Sequence, residues 1–340
     1  MADAAVAVAT LLDGVRRPLL RAVVRVEPAR RLFIARESRV LAGALVAVAM
    51  SFAVAAWQPL VALWLGAALF GVPHVVAGIR QVAVRERLAP ATRAIVALAV
   101  VVGVVELAGS GTRIAAGAVR AYVVLFAAAI VVELGARRTV AQRTMAQRTI
   151  VRVAVVAAAS LALIAPRLTL IALAHLHGLG AVVWFARRAR ARGVIVWPFV
   201  VAVALVLAGG ALGAFDRVWS PTLFAPRSAA ASIVAEAIGS TVDGVLFRRA
   251  LFLYAFGQAL HFAIWLRLVP ELERPSKVPH SFRRALALFE ADFGRWARPL
   301  LAVCVASLPL ILFGGGVARE AYFALTYFHV GLEAAALAKR

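Results

Sequence analysis

The stretch LVALWLGAALFGVPHVVAGIR, Leu60 to Arg80, carries no charge before its last residue. At 1.5 Å per helical residue it is long enough to cross the roughly 30 Å hydrocarbon core of a bilayer. Its one ionisable interior group is His74. The whole chain repeats this character. It is 340 residues long, 64% hydrophobic, with a mean hydropathy of +0.91, whereas soluble domains sit nearer half apolar and still need a polar surface. The composition therefore implies an integral membrane protein.

Working outward from Leu60, further apolar runs fall near 40–57, 93–109, 114–134, 150–165, 168–186, 194–214, 250–268, 299–315 and 320–337, which with 60–80 makes about ten. Solid apolar runs exclude the alternating pattern of a membrane β-barrel. The expected fold is an all-α, polytopic transmembrane bundle over 40–337. Trp57-Gln58-Pro59 and Ala165-Pro166-Arg167 are tight breaks, because proline disfavours helix at the residue before it and has no N–H for the ladder. The stretch Ser228 to Arg249, interrupted by Glu236, Asp243 and two arginines, is expected to be amphipathic or re-entrant.

Thirty-eight basic against sixteen acidic residues give a net charge of +22. In a soluble protein that would suggest nucleic acid. Here the arginines cluster between apolar runs, in VRERLAPATR (84–93), ARRTVAQRTMAQRT (136–149), ARRARAR (186–192) and FRRALALFEADFGRWAR (282–298). Such loops face anionic lipid on the cytoplasmic side, so no nucleic-acid partner is expected. The loops after the even-numbered runs are arginine-rich and those after the odd-numbered ones are not, which places both termini in the cytoplasm and the chain in a bacterial-type inner membrane. Residues 1–39 read as a basic interfacial segment. Phe282, Leu286, Phe289, Phe293 and Trp296 recur at helical spacing in the 270–298 loop, predicting an amphipathic interfacial helix there. Cys304 has no partner cysteine, so no disulfide exists. The N-terminus lacks a basic region ahead of its first apolar stretch and makes a poor signal peptide.

Five of the six histidines fall in apolar runs: His74, His175 and His177 in "LAHLHGLG", His261, and His329. All four runs share one predicted direction, and the histidines come at roughly the seventh to fifteenth residue of each, a depth spread of about 10 Å. Ionisable groups at such depth usually face the bundle interior and mark function. The plain alternative is a neutral imidazole hydrogen-bonded to a neighbouring helix. Neutral imidazole is also the commonest metal ligand, and several rings around one ion would satisfy them all. Residues two apart on a helix point about 200° from each other, so only one of His175 and His177 can face the centre unless Gly178 and Gly180 loosen the turn. Gln258 lies one turn before His261 and Glu333 one turn after His329, spacings that make them candidates to orient those rings. Glu106 and Glu133 end their runs and read as solvated, His280 as a surface residue, and Tyr254, Tyr322 and Tyr327 as pocket or belt aromatics.

Several chemistries are excluded by residue type. There is no HExxH for a helical zinc protease. The paired histidine boxes of membrane desaturases are missing, and both lysines, Lys277 and Lys339, lie outside the runs, which removes a retinal Schiff base. Histidines at one depth argue against two haems, leaving a single haem open. A non-haem metal centre remains, with ferrous iron ahead of zinc or haem, open to O2 and to a lipid-soluble substrate. A proton relay or transporter is the alternative from another class.

Gly71-Val72-Pro73-His74 resembles the start of the GxPHG motif of the Brp/Blh family of membrane β-carotene dioxygenases, as does the polytopic, histidine-bearing architecture. The resemblance implies an iron enzyme that cleaves a carotenoid to retinal, with His74 and His261 as ligands. This chain departs from the pattern at Val75, where the family has glycine, at Gly78, where an acid is expected, and at His261, which stands alone where the family has a histidine pair.

Overall fold

The computed structural model describes residues 2–85, 89–95, 97, 98, 101, 153, 157, 160, 164, 166–216, 244–274, 281–313, 329, 330, 332 and 333. The protein is all-helical, with no strand among the described residues. Its helices are α1 (Ala2–Val24), α2 (Glu27–Ile34), α3 (Arg36–Trp57), α4 (Pro59–Arg85), α5 (Pro166–Ala191), α6 (Trp197–Leu212), α7 (Val245–Leu272), α8 (Phe282–Phe293) and α9 (Ala297–Phe313), with His329 and Glu333 on a further helical stretch. Three of them, α3, α4 and α7, are long and apolar enough to cross a membrane, and α6 is a shorter apolar helix. The expected runs near 93–109, 114–134, 150–165 and 320–337 lie wholly or largely outside the described residues, as do most of 228–249, Glu106, Glu133, His280, Tyr322 and Tyr327.

Prolines set the helix starts. Pro59, Pro166 and Pro198 stand in first turns, where a missing N–H costs nothing. Gln58 takes the extended φ of −148° that separates α3 from α4, as the Trp-Gln-Pro break predicts. Two corrections follow from charge pairing. The boundary drawn at 39/40 falls inside α3, which begins at Arg36, and the eighth run begins at Val245 rather than at 250. In both places arginines enter a helix because an acid meets them. Arg39 donates from Nε and Nη2 to Glu271 Oε1 at 3.1 and 2.9 Å, and Arg249 Nη2 lies 2.6 Å from Asp216 Oδ2. α6 stops at Gly213, whose φ of +84° suits glycine and whose missing Cβ makes room for the Arg249 guanidinium.

α7 is the central helix. Of its most apolar window 61% is buried inside the protein, against 33% for α3 and 44% for α4. Leu251, Ala255, Phe256, Leu260, Ile264 and Leu268 of α7 are all nearly inaccessible and join Val40, Ala44 and Val48 of α3 in one core with Trp184 and Phe185 of α5. α5 approaches α7 closely, since a Cβ on Gly178 would lie 3.2 Å from the Gly257 carbonyl oxygen.

One end of the bundle is an ion-pair layer. Glu271 meets Arg39, Arg267 (2.8 Å) and Arg274 (2.6 Å), Glu273 meets Arg188 and Arg192, and Asp292 meets Arg80 (2.6 Å) and Arg85 (2.9 Å). The start of α3 and the ends of α4, α5 and α7 therefore share that end. The three helices carrying His74, His177 and His261 run in one direction, as the run order predicts.

Of the 282–296 pattern, Phe282–Phe293 forms a helix, α8, with Ser281 as its N-cap, and Gly294–Trp296 follows as a 3-10 turn. α8 is joined to α1: Asp13 accepts from the backbone N–H of Phe282 at 2.8 Å and of Arg283 at 3.2 Å. Burial raises the Asp13 carboxyl, but these two donors, with Arg16 and Arg17 nearby, outweigh it and hold its pKa below the usual carboxylate value.

Candidate metal centre

Two helices are locally modified where they pass the site. In α4, π-helical turns at Ala67–Gly71 and Ile79–Arg85 flank the short α-helical stretch Val72–Gly78 that holds His74. In α7, a π-helical turn at Ile264–Leu268 follows His261 closely. Two of the three widened turns are followed within two residues by a proline, Pro73 or Pro270, whose missing N–H and bulky ring loosen the preceding turn. The widened turns change the rotational phase of α4 and α7 next to their histidines.

His74, His177, His261 and His329 come together in the interior. One nitrogen from each ring lies within 4.8 Å of those of all the others. Ring centroids are 4.1 Å apart for His177 and His261, 4.6 Å for His74 and His329, and 5.1 Å for His74 and His261. His261 and His329 are fully inaccessible and His74 and His177 nearly so. His74 Nδ1 stands 3.1 Å from the Phe70 carbonyl oxygen, one turn back, which accepts its proton and leaves Nε2 with a lone pair. That Nε2, both nitrogens of His261 and both of His329 have no hydrogen-bond partner among the described residues.

A buried carboxylate joins them. Glu333 Oε2 is 3.1 Å from His177 Nδ1, and Oε1 is 2.7 Å from His329 Nε2 and 3.7 Å from His261 Nε2. Oε1 nonetheless lacks hydrogen-bond geometry to either ring. Among the described residues the ion-pair partners of Glu333 are imidazoles alone, with no arginine. Phe262 covers His74 at a centroid distance of 4.7 Å, and Trp265 lies 5.9 Å from His329 and 6.4 Å from His261, so apolar rings close the site.

The expected residues divide. His74, His177, His261 and His329 converge, and His175 does not. Its Nε2 is 3.3 Å from the Ala250 carbonyl oxygen and its ring 5.5 Å from Tyr254. α5 stays regularly helical through Gly178 and Gly180, so the 200° divergence holds and assignment of His175 as a ligand is corrected. Gln258 is buried one turn before His261, but among the described residues no hydrogen bond ties it to an imidazole of the group. Glu333 does more than its spacing foretold, reaching three histidines rather than one.

Sequence reasoning missed Gly78, Phe262 and Trp265. A Cβ on Gly78 would stand 2.3 Å from His329 Cε1, so glycine is what lets that ring approach α4. Nothing near Gly78 in the chain signals this contact.

The protein is thus an all-helical chain with membrane-length helices, holding a buried group of four histidines that could bind a metal ion. Comparison with protein-family models, curated proteins and solved structures gives no match.

Proposed function

We propose that the chain is a membrane-embedded, non-haem iron oxygenase acting on a carotenoid or similarly apolar polyene. The observation that carries this is the convergence of four imidazoles, from four separate parts of the chain, on one point inside an apolar bundle.

The donor set fits a metal. Among the described residues five imidazole nitrogens and one carboxylate oxygen are buried without hydrogen-bond partners, a costly arrangement that a cation taking one nitrogen from each ring would relieve in part. Imidazole suits iron, zinc and copper. A porphyrin plane set between any two of these rings would have to displace the other two, so the spacing favours a single ion over haem. His74, His177, His261 and His329 would hold it. Iron bound there would supply the redox chemistry that turns O2 on a conjugated double bond. The Phe70 carbonyl and the Glu333 carboxylate orient His74 and His177. Phe262 and Trp265 cover the rings, and a lipid-soluble molecule would approach past Phe70, which is exposed on the side of α4 and 6.2 Å from Phe262. The GxPH resemblance at His74 points the same way.

The same proposal includes about ten spans, both termini on the arginine-rich side, and anionic lipid against that side. Metal analysis of detergent-purified protein tests the centre: near-stoichiometric iron supports it, haem absorbance redirects it to electron transfer, and metal-free protein favours a proton relay through Glu333 and the histidines. Coexpression with β-carotene tests the substrate. Loss of colour with appearance of retinal is the expected result, and retained carotene in cells containing iron-loaded protein removes this substrate.

A further inference from the structure

Glu333 is placed unlike an orienting carboxylate. A group that only fixes a histidine tautomer binds one ring nitrogen and leaves the other for the metal, and Oε2 at 3.1 Å from His177 Nδ1 is placed to do this. The other oxygen does not. Oε1 reaches two further rings of the group, 2.7 Å from His329 Nε2 and 3.7 Å from His261 Nε2, with no hydrogen bond of its own among the described residues. An oxygen this close to two of the four grouped rings is within reach of a cation that those rings would share.

Charge supplies a second argument. Four neutral imidazoles around a divalent ion leave two positive charges in the apolar interior, and buried charge is expensive unless compensated. Glu333 is the one acid near the rings among the described residues, and no guanidinium neutralises it there. A carboxylate on the ion halves the buried charge and at the same time gives the carboxylate its counter-ion.

We propose that Glu333 is itself a metal ligand, its Oε1 joining His74, His177, His261 and His329 in a four-histidine, one-carboxylate site for a divalent transition metal, while its Oε2 orients His177. The assignment rests on the metal centre proposed above. It makes the His329–Glu333 pair, four residues apart on one helix face, a two-ligand unit.

Co2+ titration of the full-length protein in detergent, followed by visible absorption, tests it, because four-coordinate Co2+ absorbs much more strongly than five-coordinate Co2+. Wild type is expected to give weak bands. In E333Q the amide oxygen can still accept from His177 Nδ1, so an orienting role survives the exchange while the anionic ligand is lost. The expected result is an affinity lower by more than about 10-fold, the least that even an orienting partner's loss costs, together with stronger, four-coordinate bands. Bands unchanged from wild type, at either affinity, overturn the assignment and leave Glu333 a positioning residue. A wild-type chain that takes up no Co2+ overturns the metal centre with it. If E333Q does not survive extraction, E333D takes its place, since it keeps the charge but withdraws the oxygen by one methylene. Stronger, four-coordinate bands in E333D then support ligation by Glu333, and bands like those of wild type overturn it.

Discussion

Glu271 and Glu333 are both buried carboxylates, and they are buried in opposite ways. Glu271 lies in the ion-pair layer at one end of the bundle, its oxygens within 2.9 Å of guanidinium groups from Arg39, Arg267 and Arg274. Glu333 lies among four imidazoles, with one oxygen that makes no hydrogen bond. The first acid is satisfied by the chain itself and ties α3 to the end of α7. The second keeps one oxygen without a hydrogen bond among the described residues, and a carboxylate left in that condition is suited to an ion. The contrast separates a carboxylate that holds the fold together from one that the fold holds ready.

The largest effect on stability is expected from Glu271→Gln. It removes the carboxylate that the buried Arg39 meets at 2.9 Å, and breaking a buried pair from one side costs about 3–5 kcal/mol. Thermal unfolding in detergent measures this, and metal content per folded protein should stay at the wild-type level. A variant as stable as wild type would show that the ion-pair layer does not organise the bundle.

His261→Ala inverts that outcome. The ring is fully inaccessible and adjoins the other three histidines, so its removal should lower metal affinity by about 100-fold or more, beyond what losing a residue that merely orients a ligand costs. The fold should be retained, since an unliganded imidazole with two unpartnered nitrogens contributes little stability without the ion. Unchanged metal content would remove His261 from the site.

Gly78→Ala probes the same centre through packing alone. The added methyl falls 2.3 Å from the His329 ring, so that ring or α4 must move, at about 1–3 kcal/mol for an overpacked core. Weaker metal binding with only a modest fall in unfolding temperature is expected. Wild-type affinity would mean that His329 has room to spare.

Much of this was legible in the chain. Depth could be counted along each apolar run, so the common layer of histidines, and the shared direction of α4, α5 and α7, followed from run lengths and arginine positions. The α8 helix followed from aromatic spacing. What escaped depends on pairs distant in sequence. Arg39 belongs inside α3 only because Glu271, 232 residues away, meets it, so local composition put the boundary a few residues late. Gly78 stands where it does because of His329, and the two further histidines reached by Glu333 sit on other helices. Pro73 and Pro270 were visible as helix disruptors, yet only the packed structure shows them as widened turns that aim His74 and His261.

The choice between His175 and His177 shows how such information enters. Helical geometry dictates that the two rings diverge, but which of them faces inward depends on the rotational phase of α5, and that phase is set where Gly178 lets α5 approach the Gly257 backbone. His177 then meets His261 and Glu333, while His175 turns toward Ala250 and Tyr254 near the start of α7. His175→Ala should therefore be the mildest of these substitutions. It removes one interhelical hydrogen bond, worth about 1 kcal/mol, and leaves metal content unchanged. His177→Ala, two residues on, should lose the metal. The paired measurement has a sharp reverse: metal lost from the His175 variant and kept by the His177 variant would mean that α5 is rotated by half a turn from the phase its glycines impose, and that Glu333 has lost the imidazole it orients.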